Sequence, residues 1–200
     1  DLDLIITSDD NALNFLKEYR DELFPGVPVV FCGANYLTSE DLVGYDGFLG
    51  VAETVDLQGT VDLMLGLHPN TDRIYVNMDR TVTNEKMRAR FLSFIGEYQS
   101  RVEFVFLDDQ SLDELLEIVA KLPDKSLMLH VGKYMDGYGN HYNSDEVLRQ
   151  LARASNRPIY CLWDVVLGLG AVGGKLTNGF FQGLEAGHLA TELLRGRDIN

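Results

Sequence analysis

Residues 73–108 read RIYVNMDRTVTNEKMRARFLSFIGEYQSRVEFVFLD, and their reading decides the fold. RIYVNM is a short apolar run with β-branched and aromatic residues, which predicts a strand, and VEFVFLD predicts a second one. Between them NEKMRARFLSFIGEY carries helical spacing. Strand, helix and strand in direct succession form a unit whose strands run parallel. Both strands are continuous apolar runs rather than alternating ones, as expected where helices cover both faces of a sheet.

The same rhythm extends outward in both directions. Toward the carboxyl end come helix LDELLEIVAKL, strand SLMLHV, helix DEVLRQLARAS and strand PIYCLWD. Ser111 with Glu114 spells a capping box, and Asn143 with Glu146 spells a second candidate. Toward the amino end lie strand LDLIITS, helix NALNFLKEYRDELF, strand GVPVVFCG, short strand GFLGVAE and helix VDLQGTVDLMLGLHP. Asp10 is the expected N-cap of the first helix, with Ala12, Phe15, Leu16, Tyr19 and Leu23 on its packing face. Thr54 is the expected cap of the helix that stops before Pro69. The whole chain predicts a doubly wound α/β architecture with parallel sheets.

Composition narrows the partners. Of 200 residues, 46% are hydrophobic, enough to build a core rather than a disordered chain. The 31 acids against 17 bases leave a net charge of -14, which repels phosphate backbones and anionic lipid, so nucleic acid is not an expected partner. Cys32 and Cys161 have neither metal-ligand nor framework spacing and read as small hydrophobes at strand ends. No apolar run is long enough to span a bilayer, and no signal peptide is legible.

A second stretch tests whether the chain binds nucleotides. VVLGLGAVGGKLTNGFF, residues 165–181, contains Gly168, Gly170 and Gly173 in the G-x-G-x-x-G spelling. A dinucleotide fingerprint must open a helix at once and reach a further strand. Here AVGGKL reads as extended, and the last helix starts only around Asn178. A phosphate loop would need glycine at Leu169 and Ser or Thr at Leu176. The glycines therefore read as backbone freedom for a tight turn and a narrow crossing.

Asp9 with Asp10, and Asp108 with Asp109, place paired acids after strands. Helix capping by these acids and the neighbouring serines is the expected role. His68, His130, His141 and His188 lack ligand spacing, and no serine sits in a nucleophile elbow, so no catalytic residue, metal site or cofactor is predicted. Polar and aromatic residues do recur just beyond the carboxyl ends of strands, where open α/β sheets bind ligands. The candidate ligand-binding set is Ser8, Asp9, Asn35, Glu53, Asn77, Asp79, Arg80, Lys133, Tyr134, Trp163 and Asp164.

PGVPVVFCGAN, GFLGVAETVDLQGTVDLMLGLHPNTDRIYVNMDRT, VEFVFLDD and PIYCLWDVVLGLGAVGGKLTNGFFQGLEAGHLATELLRG together resemble the type I periplasmic-binding-protein fold. Within it they are most similar to the transporter-type substrate-binding family, above all the versions that serve as extracytoplasmic sensor regions of bacterial histidine kinases. The resemblance covers essentially the whole chain and says little about the ligand. It implies two lobes, with residues 1–54 and 177–200 in the first and 55–176 in the second, and a small molecule in the cleft between them. GLGAVGGKLTN resembles the final crossing between lobes. The family's first lobe opens with two more strand-helix units before the one matched by DLDLIITSDDNAL. A partial first lobe, with an open sheet edge that favours homodimers, is therefore expected. The function implied is an extracytoplasmic, non-enzymatic sensing domain of a membrane kinase, attached to the membrane through other parts. A substrate-binding protein of an ABC-type transporter is the alternative.

Overall fold

The computed structural model describes residues 2–196. In chain order the first half holds β1 (Ile5–Ser8), α1 (Asp10–Leu23), β2 (Val29–Asn35), β3 (Phe48–Glu53), α2 (Leu57–Leu67), β4 (Arg73–Asn77) and α3 (Val82–Phe94). The second half holds β5 (Glu103–Leu107), α4 (Leu112–Val119), β6 (Ser126–His130), α5 (Ser144–Ala154), β7 (Ile159–Cys161) and α6 (Gly179–Leu194). The chain divides into two compact units, one made of residues up to Val55 and from Asn178 onward, the other of Asp56–Thr177.

In the first unit β1, β2 and β3 form a parallel sheet in that order. β2 is buried on both sides, which its continuous apolar run requires. Val29 and Phe31 face Leu13 and Leu16 of α1, while Val30 and Cys32 face Ala186 and Ala190 of α6. The parity then flips, and Ala34 joins the α1 side. Its cause is a register shift between Phe31 and Ala34 against β3, centred on Gly33 at φ 67°. One extra residue in a strand moves every later side chain to the other face, and the left-handed backbone there favours glycine.

Two local expectations for α1 are corrected. Asp9, not Asp10, is the N-cap, accepting from the Asp10 N–H at 2.7 Å. The packing face is Leu13 and Leu16 with Arg20, whereas Ala12, Phe15, Tyr19 and Leu23 are exposed. Arg20 fills the third contact by laying its guanidinium 5.1 Å from the Phe48 ring centroid and donating to the carbonyls of Val27 and Asp46.

In the second unit four parallel strands take the order β5-β4-β6-β7. Leu115 and Val119 of α4 and Val147, Leu148 and Leu151 of α5 pack with Met128 and Ile159. On α3, Phe91 is buried edge-on against Phe106 at 5.9 Å between centroids. α4 starts with the full capping box of Ser111 and Glu114, and the Asn143 side chain accepts from the Glu146 N–H at the start of α5. The cap of α2 is Asp56, which accepts from the Gly59 N–H at 2.8 Å, in place of the expected Thr54. Val55, just before the cap, is buried.

After a turn, the stretch beyond β7 lies alongside it and runs parallel to it. The Cys161 N–H donates to the Gly173 carbonyl at 2.9 Å, and the Thr177 N–H donates to that of Leu162 at 2.8 Å. Gly168, Gly170 and Gly173 take φ of 83°, 115° and 131°. At Gly174 an added Cβ would lie 2.0 Å from the Cys161 carbonyl oxygen. The glycines thus let an extended segment approach β7 closely, and α6 begins only at Gly179 behind its cap Asn178.

Candidate functional site

In the second unit the loops leaving β4, β5 and β6 meet at the carboxyl end of the sheet. Asp79 ties two of them together. Its Oδ1 accepts from the Thr81 N–H at 2.9 Å, the Thr81 hydroxyl at 2.6 Å and Asn84 Nδ2 at 2.7 Å. Its Oδ2 accepts from the N–H groups of Tyr134 at 2.6 Å and Met135 at 3.2 Å. Burial alone would push this carboxyl up, but the donors from Thr81, Tyr134 and Asn84 outweigh it and hold it below its ordinary value. A carboxylate so completely engaged acts as a clasp and has little to offer a ligand.

Lys133 is fully buried beneath the same loops. Its N–H donates to the Ser144 hydroxyl at 3.2 Å, and its Nζ donates to the Asp108 carbonyl at a long 3.5 Å. Burial lowers its pKa, against the opposing pull of Asp79, Asp136, Asp108 and Asp109. Asn77 is also fully buried and donates through Nδ2 to His130 Nδ1 at 2.7 Å. Burial brings His130 down to about 4, so at neutral pH the ring is uncharged with Nδ1 free to accept.

Arg80 and Tyr134 differ from these because they reach solvent. The Arg80 side chain is half exposed and is steadied by Asp108 at 3.0 Å, Glu85 at 3.2 Å and Asp109 at 3.8 Å. Asp108 also takes Arg88 at 2.5 Å, and Arg88 lies over the Phe106 ring. The pair Asp108 and Asp109 was expected to cap a helix; it binds arginines instead, and Ser111 does the capping. Tyr134 is 53% exposed although its backbone is pinned by Asp79, so a rigid loop carries an accessible ring. Trp163 and Asp164 follow β7 and are partly buried, held where Asp164 N–H donates to the Thr177 carbonyl at 3.1 Å.

The first unit has its own carboxyl-end cluster. Ser8 and Asp9 are exposed, and Asp9 has φ 76° and ψ 160°, a conformation that side chains other than glycine rarely adopt. Asn35 is buried and donates its N–H and Nδ2 to Asp10 at 3.2 and 3.0 Å. Glu53, also buried, accepts from Gln182 Nε2 at 2.7 Å, while Gln182 Oε1 accepts from the Gly33 N–H at 3.0 Å. Gln182 is a contributor that the sequence does not signal, because its partners lie 129 and 149 residues away in the chain. Asp10 was legible as a helix cap and as one of an acid pair, but not as the acceptor for Asn35.

Of the candidate set, the structure therefore gathers Asn77, Asp79, Arg80, Lys133 and Tyr134 around one sheet end. Trp163 and Asp164 follow a strand of that sheet, and Ser8, Asp9, Asn35 and Glu53 belong to the other. Among the described residues no group of three or more histidines, cysteines or acids could hold a metal ion, and no helix is long and apolar enough to cross a membrane.

No family model matches the sequence, and comparison with curated proteins gives no match either. Solved structures do match. One is an ABC domain in complex with L-Trp from Streptococcus pneumoniae, with TM-score 0.68 and 16% identity, covering 99% of this chain and 67% of that one. Another is the ligand-free, open structure of a substrate-binding protein with adhesive properties from Clostridium difficile, with TM-score 0.61 and 14% identity, covering 98% and 65%. The chain thus spans about two thirds of the length of each. Its α/β fold, with parallel sheets and six helices among the described residues, matches these structures and is periplasmic-binding-protein-like.

Proposed function

We propose that this chain is a small-molecule-binding module rather than an enzyme, and that it serves as the extracytoplasmic sensing domain of a membrane histidine kinase. The observation that carries the binding reading is the clasped sheet end of the second unit, where Asp79 fixes the loops that display Arg80 and Tyr134. Preorganised loops lose little entropy on capturing a ligand, and a half-exposed guanidinium and an exposed phenol on the loops of one sheet end offer an anion partner and a stacking face. Ligand binding by the neighbouring structure with L-Trp supports the same reading. The sensor assignment rests on the resemblance of the segments from PGVPVVFCGAN to LATELLRG. A transporter component is the second reading, favoured by the substrate-binding protein among the solved neighbours.

A thermal-shift screen of metabolites against the protein, followed by titration of Arg80→Gln and Tyr134→Ala, tests the binding reading. A hit that both variants weaken by about tenfold without loss of melting temperature is expected. Hits unaffected by both would move the site elsewhere. Autophosphorylation of the parent protein in membrane vesicles that rises or falls with the same ligand supports the sensor; ligand uptake that depends on the chain supports the transporter.

A further inference from the structure

Alongside α4 in the second unit runs a groove of 740 Å³, within the size range of small-molecule sites. It extends from Gln110, before the helix, past Glu117 and Ile118 on it, to Leu122 behind it. Tyr75 of β4 and Tyr138 supply aromatic walls, and Tyr138 is 71% exposed. The ionic lining is Asp109, Glu114 and Glu117 against Lys121 alone, so the groove carries two negative charges more than positive ones. Glu114 is already committed to the Ser111 cap, and Asp109 also faces Arg80, which leaves Glu117 as the acid without a structural duty of that kind. The carbonyl oxygen of the Gln110 side chain is buried and receives no hydrogen bond.

These features select one chemistry. A carbon-lined groove with two phenol rings favours a flat or aliphatic body. An acceptor lacking a donor and surplus carboxylates favour a positively charged donor, which aromatic faces also attract. The net charge of -14 raises the local concentration of cations around the whole molecule. We propose that this groove binds small organic ammonium ions, with the ammonium near Gln110 and Glu117 and the apolar body against Tyr75, Ile118 and Leu122. The site lies beside the sheet end carrying Arg80 and Tyr134, bordering it at Asp109, and does not depend on what binds there.

The probes are phenethylammonium, phenylacetate and 2-phenylethanol, which share one body and differ in charge. Each is titrated into the protein by calorimetry and followed by amide-resolved NMR. Phenethylammonium is expected to bind saturably, at least about tenfold tighter than phenylacetate or the alcohol. The perturbed signals should centre on the Gln110 side-chain amide, Glu117 and Ile118. Glu117→Gln and Gln110→Leu should each weaken binding by about threefold or more. Glu117 is exposed, so its variant keeps the test valid should Gln110→Leu fold poorly. No saturation by about 10 mM overturns the proposal. So do equal affinity for phenylacetate, shifts centred on Arg80 and Tyr134, the same shifts from magnesium alone, or a Glu117→Gln protein that binds as before.

Discussion

At the scale of single residues, the second unit's sheet end is governed by side chains that never meet solvent. Asp79 receives five hydrogen bonds, two of them from backbone groups on the loop after β6. In Asp79→Asn an amide NH₂ would confront N–H donors, leaving them unpaired, and the protein should lose about 2 kcal/mol in urea denaturation. A loss below about 0.5 kcal/mol would mean the loops hold without the clasp. His130 gives a pH signature. Its pKa falls from an ordinary 6.5 to about 4 in the fold, so between these values the unfolded chain binds a proton that the folded one does not. Stability must therefore decline as pH falls through that window, by an amount on the order of 3 kcal/mol. His130→Gln should flatten the urea midpoint between pH 7 and pH 5, and an unchanged slope would assign the decline to other groups. The roles of Asp79, Lys133 and Asn77 explain why the candidate site was only partly legible. Sequence position after a strand puts a polar residue at the right end of a sheet, but it does not distinguish an exposed arginine from a buried clasp. That distinction depends on loops that close over the residue from elsewhere in the chain.

At the scale of elements, strand and helix order was legible because continuous apolar runs alternate with helical spacing, and the parallel sheets follow from that alternation. The face of α1 was not. Its apolar residues form two stripes, and Leu16 sits near their border. The structure buries Leu13 and Leu16, and completes that stripe with Arg20 stacked on Phe48, a contact no hydropathy pattern announces. Phe15 and Tyr19 pair on the outside at 5.1 Å. Leu16→Ala should accordingly cost about 2–4 kcal/mol, whereas Phe15→Ala and Leu23→Ala should stay within about 0.5 kcal/mol by urea denaturation. Equal losses at Leu16 and Phe15 would contradict the burial. The parity flip at Gly33 was hidden for a similar reason. GVPVVFCG reads as one uninterrupted strand, and only pairing with β3 shows the extra residue.

At the scale of the whole molecule, the two units differ in how the chain builds them. The first needs segments from both ends of the sequence, because α6 supplies Ala186 and Ala190 against Val30 and Cys32 of β2. The second is continuous, from Asp56 to Thr177, and contains a four-stranded sheet with its own core. Its two ends are stitched together: Lys175 Nζ lies 3.1 Å from Asp56 Oδ2, and the Lys175 N–H donates to the Thr60 hydroxyl at 3.1 Å. A segment whose ends already meet, and whose sheet is complete within itself, has the anatomy of an inserted domain that can fold alone. Residues 56–177 expressed by themselves should therefore unfold in one cooperative step with native-like near-ultraviolet circular dichroism, Trp163 being the single tryptophan that reports on it. The complementary piece, residues 1–55 without α6, should stay unfolded, since one face of β2 would lie bare. A fragment 56–177 that binds hydrophobic dyes and lacks near-ultraviolet signal would show that its core depends on the rest of the chain. Cooperative melting of that fragment would instead allow Arg80, Tyr134 and the groove along α4 to be titrated in a domain stripped of the first unit's own acids, Asp9 and Glu53.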